Sequence, residues 1–311
     1  MFRPEQLVLA ALLLSLPLAF LLLPVLLSPS PLRASALPPA ACTGAVLIDR
    51  GAWLDGVSRA YESGFRLGTE GSSPVHFAMM PGGECVLQGG CETLRGLDVV
   101  VLGDSVLRQA VFALLDRLRR SCSSPLVVDG VRTSPDEVLL EAKVQDMHVR
   151  AEAIDMSLRF HMLRGVSATP EDELFVRTHA GDADVVLWNG GLHDLKHQPR
   201  VDIVQRSLPR FGALLTELRG GATLVWATTT TVVPDLLWEP RRNITPANVV
   251  AFNTAVGHAV ASHVLPTPDL VLDAHRLSTT IPRRATSDGV HYNGLGPALA
   301  DVLLHELAQR Q

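Results

Sequence analysis

A serine hydroxyl attacks an acyl carbon only when a neighbouring base takes its proton, and an imidazole serves as that base best when an acid fixes its tautomer. The chain offers such a set: Ser105 in Gly103-Asp104-Ser105, and Asp288 and His291 in Asp288-Gly289-Val290-His291. The spacing of the second block lets carboxylate and imidazole meet within one turn of loop, leaving the other ring nitrogen to face Ser105. The reaction also needs donors for a tetrahedral oxyanion. Ser105 N–H, at the start of a helix, is one candidate. Asn189, in Asn189-Gly190-Gly191-Leu192-His193, is the second, with the N–H of Gly190 or Gly191 as the alternative. Arg108 and His193 are candidates to line a substrate pocket. The plainer readings are that Asp104 or Ser105 only caps a helix, that Arg108 is solvated and that His193 satisfies the core.

The elements that must position these residues are legible as alternating patterns. Asp98–Leu102 is short, β-branched and apolar, which predicts a strand buried on both faces. Gly103 permits a sharp turn, and from Val106 the apolar residues Leu107, Ala110, Val111, Leu114, Leu115 and Leu118 recur with helical spacing. Further buried strands are expected at 184–188, 223–227 and 269–273. A helix carrying Val204, Leu208, Phe211, Leu215 and Leu218 ends at Gly220-Gly221, and a second starts at Thr245-Pro246. A last helix, bearing Leu295, Leu299 and Leu303, takes Asn293 as its cap. Residues 42–97 read as an irregular cover, and the less regular stretch after Val128 up to Gly181, in which Ser157–Met162 alternates like a half-exposed strand, as the part that shapes the acceptor pocket. Strands alternating with helices imply a three-layer α/β/α sandwich with a parallel sheet, whose carboxyl ends gather Ser105, Asn189 and His291.

At these residues the chain resembles the SGNH, or GDSL-type, esterase superfamily, and more narrowly its PC-esterase branch, which includes trichome birefringence-like and sialic acid O-acetyltransferases. The narrower resemblance rests on Gly103-Asp-Ser-Val-Leu-Arg-Gln109, Asn189-Gly-Gly-Leu-His193 and Ser287-Asp-Gly-Val-His-Tyr292. It implies the roles given above, a helix-borne Arg at position 108, and acetyl transfer to a glycan. The superfamily also supplies a glycine oxyanion donor from an intermediate block, for which Gly130 is the nearest match.

His193 and His197 stand four apart, as zinc ligands on a helix would, but the flanking Gly-Gly and Gln-Pro leave little room for that helix, so no metal is expected. A net charge of −5 gives no global attraction for nucleic acid. A local basic loop, Arg276, Arg283 and Arg284, could meet an anionic sugar or simply be solvated.

The N-terminus sets the compartment. After a six-residue tail (1–6), residues 7–27 form an uncharged apolar run long enough to span a bilayer, followed by a Pro/Ser/Ala-rich linker, 28–41, and the domain 42–311. A type II signal anchor in the Golgi or endoplasmic reticulum membrane is expected, with a cleaved signal peptide and a secreted protein as the alternative. Cys42, Cys85, Cys91 and Cys122 suit a lumenal domain with two disulfides. Cys85 could pair with Cys91 and Cys42 with Cys122, though all three pairings stay open. Asn243-Ile244-Thr245 is a glycosylation acceptor.

The leading expectation is thus a membrane-anchored lumenal serine O-acyltransferase. It binds no cofactor, takes acetyl-CoA or another acetyl donor as co-substrate and has a glycan hydroxyl as acceptor. An esterase acting on carbohydrate or lipid esters and an inactive glycan-binding domain are the alternatives.

Overall fold

The computed structural model describes residues 51–55, 75–79, 90–122, 125–129, 131–133, 146–198 and 200–310. The expected tail, apolar segment and linker, as well as Cys42, Cys85 and Gly130, lie outside the described residues. Among the described residues no helix is long and apolar enough to cross a membrane.

Strands β1 (Gly51–Asp55) and β2 (Val75–Met79) pair antiparallel as a small separate sheet. The main sheet has eight strands: β3 (Asp98–Gly103), β4 (Leu126–Val128), β5 (Val131–Thr133), β6 (Asp146–Ala151), β7 (Met156–Met162), β8 (Val185–Trp188), β9 (Thr223–Ala227) and β10 (Leu270–Leu272). Their order across the sheet is β10-β9-β8-β3-β7-β6-β4-β5. The first five in that order run parallel, as expected from the alternating pattern. The last three join by antiparallel pairs, so that β6 and β5 run against the other strands while β4 runs with them. β6 joins β7 antiparallel through the tight turn Glu152–Ile154, closed by Asp155 at φ +50°, and β4 pairs antiparallel with both β5 and β6. So short a link cannot cross over the sheet, so it forces a hairpin and makes the sheet mixed rather than wholly parallel.

β7 is an interior strand beside β3, with Leu158, Phe160 and His161 buried and Ser157, Arg159 and Met162 partly exposed, the alternation expected of 157–162.

Eight helices are described: α1 (Ser105–Ser121), α2 (Pro170–His179), α3 (Leu192–His197), α4 (Val201–Gln205), α5 (Leu208–Arg219), α6 (Pro246–Ala261), α7 (Ala274–Thr280) and α8 (Leu295–Ala308). Leu107, Val111 and Leu114 of α1 and Leu299 and Leu303 of α8 close over Val99, Val101, Leu187 and Leu272 on one face of the sheet. On the other face, Trp188 packs edge-on against Phe211 of α5 and stacks with Trp226 on the neighbouring strand. The helix expected through Val204 and Leu218 is broken into α4 and α5. Pro209 in the first turn of α5 lacks the N–H that a continuous helix would need. The last helix is entered through Gly294 at φ +90° with no side-chain cap, while the Asn293 backbone N–H donates to Ala285 O at 2.7 Å.

Among the described residues the disulfide is Cys91–Cys122, which excludes the Cys85–Cys91 and Cys42–Cys122 pairing. Cys91 precedes the turn that feeds β3, and α1 runs back along that strand, returning Cys122 to its starting point.

An unanticipated clamp holds the opposite flank. His161 on β7 meets Asp146 of β6 through Nδ1 at 2.5 Å and Asp172 of α2 through Nε2 at 2.7 Å. Its ring stacks on Phe175, with centroids 4.5 Å apart. Burial pulls the His161 pKa down, but hydrogen bonds and charge from the two carboxylates outweigh it and raise the pKa. Burial pushes Asp172 up, and the bond to His161 leads the effects that leave it lowered. The raised histidine stabilises fully below its unfolded value of about 6.5 and loses that contribution as pH rises through the folded value. The lowered Asp172 contributes above about 3.9 and loses its contribution on acidification. His161→Leu, which leaves the buried Asp172 carboxylate with the Thr169 N–H but without its cationic partner, should therefore cost about 3 kcal/mol in urea unfolding at pH 5.5, and less at pH 8.5.

Candidate active site

Ser105 owes its position to the end of β3 and the start of α1. Asp104 is the N-cap: its Oδ1 accepts Val106 N–H at 2.8 Å and Leu107 N–H at 3.3 Å. The same carboxylate accepts from Asn189 Nδ2 at 3.2 Å, while Asp104 N–H donates to Asn189 Oδ1 at 3.0 Å. This reciprocal pair is fully buried and joins the ends of β3 and β8. Because Asp104 N–H can only donate, it fixes which end of the Asn189 amide carries oxygen. Ser105 N–H then stands at the first helical position, where no preceding helical carbonyl can accept it. Gly103 is needed here for space: a Cβ would fall 2.6 Å from Leu107 Cδ2 and 2.7 Å from Asn189 Oδ1.

Across the mouth of the sheet, His291 Nε2 lies 2.6 Å from Ser105 Oγ, and His291 Nδ1 lies 2.7 Å from Asp288 Oδ2. Residues 186 apart in sequence are thus one hydrogen-bonded chain. Asp288 Oδ1 also accepts Val290 N–H at 3.0 Å and His291 N–H at 2.8 Å, curling the loop back onto its own carboxylate. Burial alone would raise the Asp288 pKa, but the His291 bonds and charge, with the Val290 N–H, hold it well below the usual carboxylate range. Gly289, at φ +75°, packs against the segment after β9, where its carbonyl accepts Val233 N–H at 2.9 Å. Tyr292 OH donates to Thr231 O at 3.0 Å from the same side.

Arg241 is a site residue that sequence reasoning missed. Its Nη1 donates to Asp288 Oδ2 at 2.8 Å, the oxygen that also faces His291. It lies in the irregular connection between β9 and α6, in a short turn with no periodic signal, and its guanidinium sits 5.5 Å above the Trp238 ring.

The other candidates fall as follows. Asn189 keeps one Nδ2 hydrogen beyond the one given to Asp104. The Gly190 carbonyl accepts the Thr229 hydroxyl, and the Gly191 N–H faces the Asp194 carboxylate, which removes Gly191 as an oxyanion donor. Arg108 is partly buried near Asp104; burial lowers its pKa and the Asp104 charge opposes that, which sets aside a freely solvated side chain. His193 and His197 do share a helix, contrary to expectation, because Gly191 at φ +113° turns the chain directly into α3. Only His193 is part-buried. Burial lowers its pKa, and the Asp104 charge opposes that without reversing it. Among the described residues no group of three or more His, Cys, Asp or Glu is placed to hold a metal ion.

Asn243 is exposed, with Nδ2 donating to Lys196 O at 3.3 Å. Arg283 of the basic loop pairs with Asp235 in solvent.

No family model and no curated relative matches the chain. Among solved structures it is similar to a GDSL-like lipase from Bacteroides thetaiotaomicron VPI-5482, at 12% identity and a TM-score of 0.44 over 70% of this chain and 90% of that one. It is also similar to a carbohydrate esterase family 3 from Talaromyces cellulolyticus, at 16% identity and a TM-score of 0.45 over 69% and 97%. A third is a mutant of an acetyl-xylooligosaccharide esterase from Geobacillus Stearmophilus, at 14% identity and a TM-score of 0.41 over 71% and 96%. These are likenesses of chain path, and the chemistry rests on the side chains described above.

Gly103→Ala is expected to destabilise the protein by about 2 kcal/mol and to spread the Asp104–Asn189 pair. Thermal unfolding checks the first effect. Slower labelling of Ser105 by a fluorophosphonate probe in the still-folded variant checks the second.

Proposed function

We propose that this chain is a serine-dependent acyl-transfer enzyme, and that its acceptor is a glycan hydroxyl. The observation that carries the reading is the unbroken chain Ser105 Oγ, His291 Nε2, His291 Nδ1, Asp288 Oδ2. His291 takes the Ser105 proton as Oγ attacks the carbonyl carbon of the acyl donor, and ionised Asp288 orients the ring and steadies the imidazolium. The Ser105 N–H and the second Asn189 Nδ2 hydrogen hold the oxyanion. Collapse expels the donor's leaving group, which takes the proton from His291, and leaves an acyl-Ser105. An acceptor hydroxyl, deprotonated by the same imidazole, then attacks the ester and restores Ser105.

This chemistry is indifferent to whether the acceptor is a sugar or water. The three motif blocks and their resemblance to the PC-esterase branch support acetyl as the group moved and a glycan as its acceptor. The donor, acetyl-CoA or another acetyl carrier, is then a co-substrate and no bound cofactor takes part. The Cys91–Cys122 disulfide supports an oxidising compartment, and residues 7–27 support anchorage to a Golgi or endoplasmic reticulum membrane with the domain in the lumen.

With 4-nitrophenyl acetate as donor, Ser105→Ala and His291→Ala should each lower the rate of nitrophenol release by about 10⁴-fold, and Asp288→Asn by a similar factor. Mass spectrometry of added oligosaccharide then reads the acceptor: acetylated product marks transfer, and acetate alone marks an esterase. Equal rates for wild type and Ser105→Ala would reduce the domain to a binding module.

A further inference from the structure

The connection between β9 and α6 does more than close the back of the site. From Val233 to Arg241 it is short, proline-punctuated and tied to the His291 loop at three places. Val233 N–H bonds Gly289 O at 2.9 Å, buried Leu237 packs beside Gly289, and Arg241 holds Asp288 at 2.8 Å. Within this braced turn stands Trp238, whose carbonyl accepts the Arg241 backbone N–H at 2.8 Å.

Trp238 is 54% exposed, whereas Trp188 and Trp226 are buried. An indole left in water on a rigid turn gains nothing for folding from its large apolar surface. One side is covered by the Arg241 guanidinium at 5.5 Å; the exposed remainder of the ring faces solvent. The chain Trp238, Arg241, Asp288, His291, Ser105 links that ring to the nucleophile through successive contacts of 5.5, 2.8, 2.7 and 2.6 Å.

We propose that Trp238 is a carbohydrate subsite: its open face stacks against the C–H face of a neutral pyranose ring, one unit away from the sugar whose hydroxyl exchanges the acyl group at Ser105. The chemistry fits the partner. A pyranose presents axial C–H bonds of slight positive character to an electron-rich aromatic face. Its equatorial hydroxyls stay in water or reach the donors of Arg241. A fatty acyl chain would instead call for an enclosed apolar channel. A ring fixed on the loop that also braces Asp288 is ordered before the sugar arrives, so little conformational freedom is lost on binding.

The inference deepens the acyl-transfer reading and rests on it for the identity of the reacting sugar, but binding itself is measured without turnover. In a Ser105→Ala background, xylotetraose and N-acetylchitotetraose are titrated by calorimetry. Trp238→Ala should weaken the tighter-binding of the two about tenfold, and Trp238→Phe should recover most of that loss. In the active enzyme, the ratio of kcat/KM for O-acetylated xylotetraose to that for 4-nitrophenyl acetate should fall about tenfold in Trp238→Ala, with the change in KM. Absence of binding to both oligosaccharides, equal affinity with and without the indole, or an unchanged ratio overturns the subsite. If wild type turns over neither ester, the acyl-transfer reading fails while the calorimetric comparison still decides Trp238. As an exposed side chain, Trp238 can be removed without opening the core, and the Phe variant guards against a local collapse of the turn.

Discussion

The reciprocal pair between Asp104 and Asn189 is the constraint on which the site depends. β3 and β8 are neighbours with Leu102 opposite Trp188, so the residues just beyond them leave the sheet at the same level. There Asp104 and Asn189, both buried, exchange two hydrogen bonds. A single carboxylate oxygen thereby caps α1 and ties that helix to the adjacent strand. The serine that follows has no freedom to choose its direction, because the first turn of α1 is already set when the two strands pair. Losing the Asn189 amide would leave the buried Asp104 N–H without an acceptor, and losing the Asp104 carboxylate would strip both the cap of α1 and the partner of Asn189 Nδ2, which is why the two are energetically one unit.

The base arrives by a different route. The His291 loop belongs to neither strand nor helix, and its shape comes from contacts it makes with itself and with the segment after β9. Asp288 gathers two backbone N–H groups of its own turn, and Gly289 lies so close to Val233 that a side chain there would collide with the Val233 carbonyl. Arg241 completes the arrangement by donating to Oδ2, the same carboxylate oxygen that meets the imidazole. Two independently anchored segments therefore meet at one hydrogen bond, Ser105 to His291.

Much of this was legible in the sequence, and the boundary of what was not has physical causes. β3, β8 and β9 announce themselves because strands buried on both faces must be apolar without interruption, and Asp98–Leu102 and Asp184–Trp188 leave no other reading. The Ser105, Asp288 and His291 set is visible because chemistry restricts residue type and spacing. β7 shows its alternation because Ser157 and Arg159 sit on an incompletely covered face, but that pattern does not tell that the strand lies beside β3 in the interior of the sheet. The antiparallel pairing of β6 with β7 depends on a three-residue turn whose closing residue, Asp155, has no distinctive type. α3 is too short to show a period. Arg241 and the His161 clamp are pairings across folds of the chain, created by tertiary proximity alone.

The Cys91–Cys122 bridge has a consequence for how the nucleophile survives stress. It spans 31 residues that contain all of β3 and α1, and with them the elbow bearing Ser105. Closing a loop of that size removes conformations from the unfolded chain worth about 4 kcal/mol. When heat or denaturant loosens the outer strands, the elbow and its helix stay leashed to each other, so reassembly begins from a segment already folded back on itself. A reducing surrounding would withdraw that leash first from the part of the molecule where the reactive hydroxyl resides.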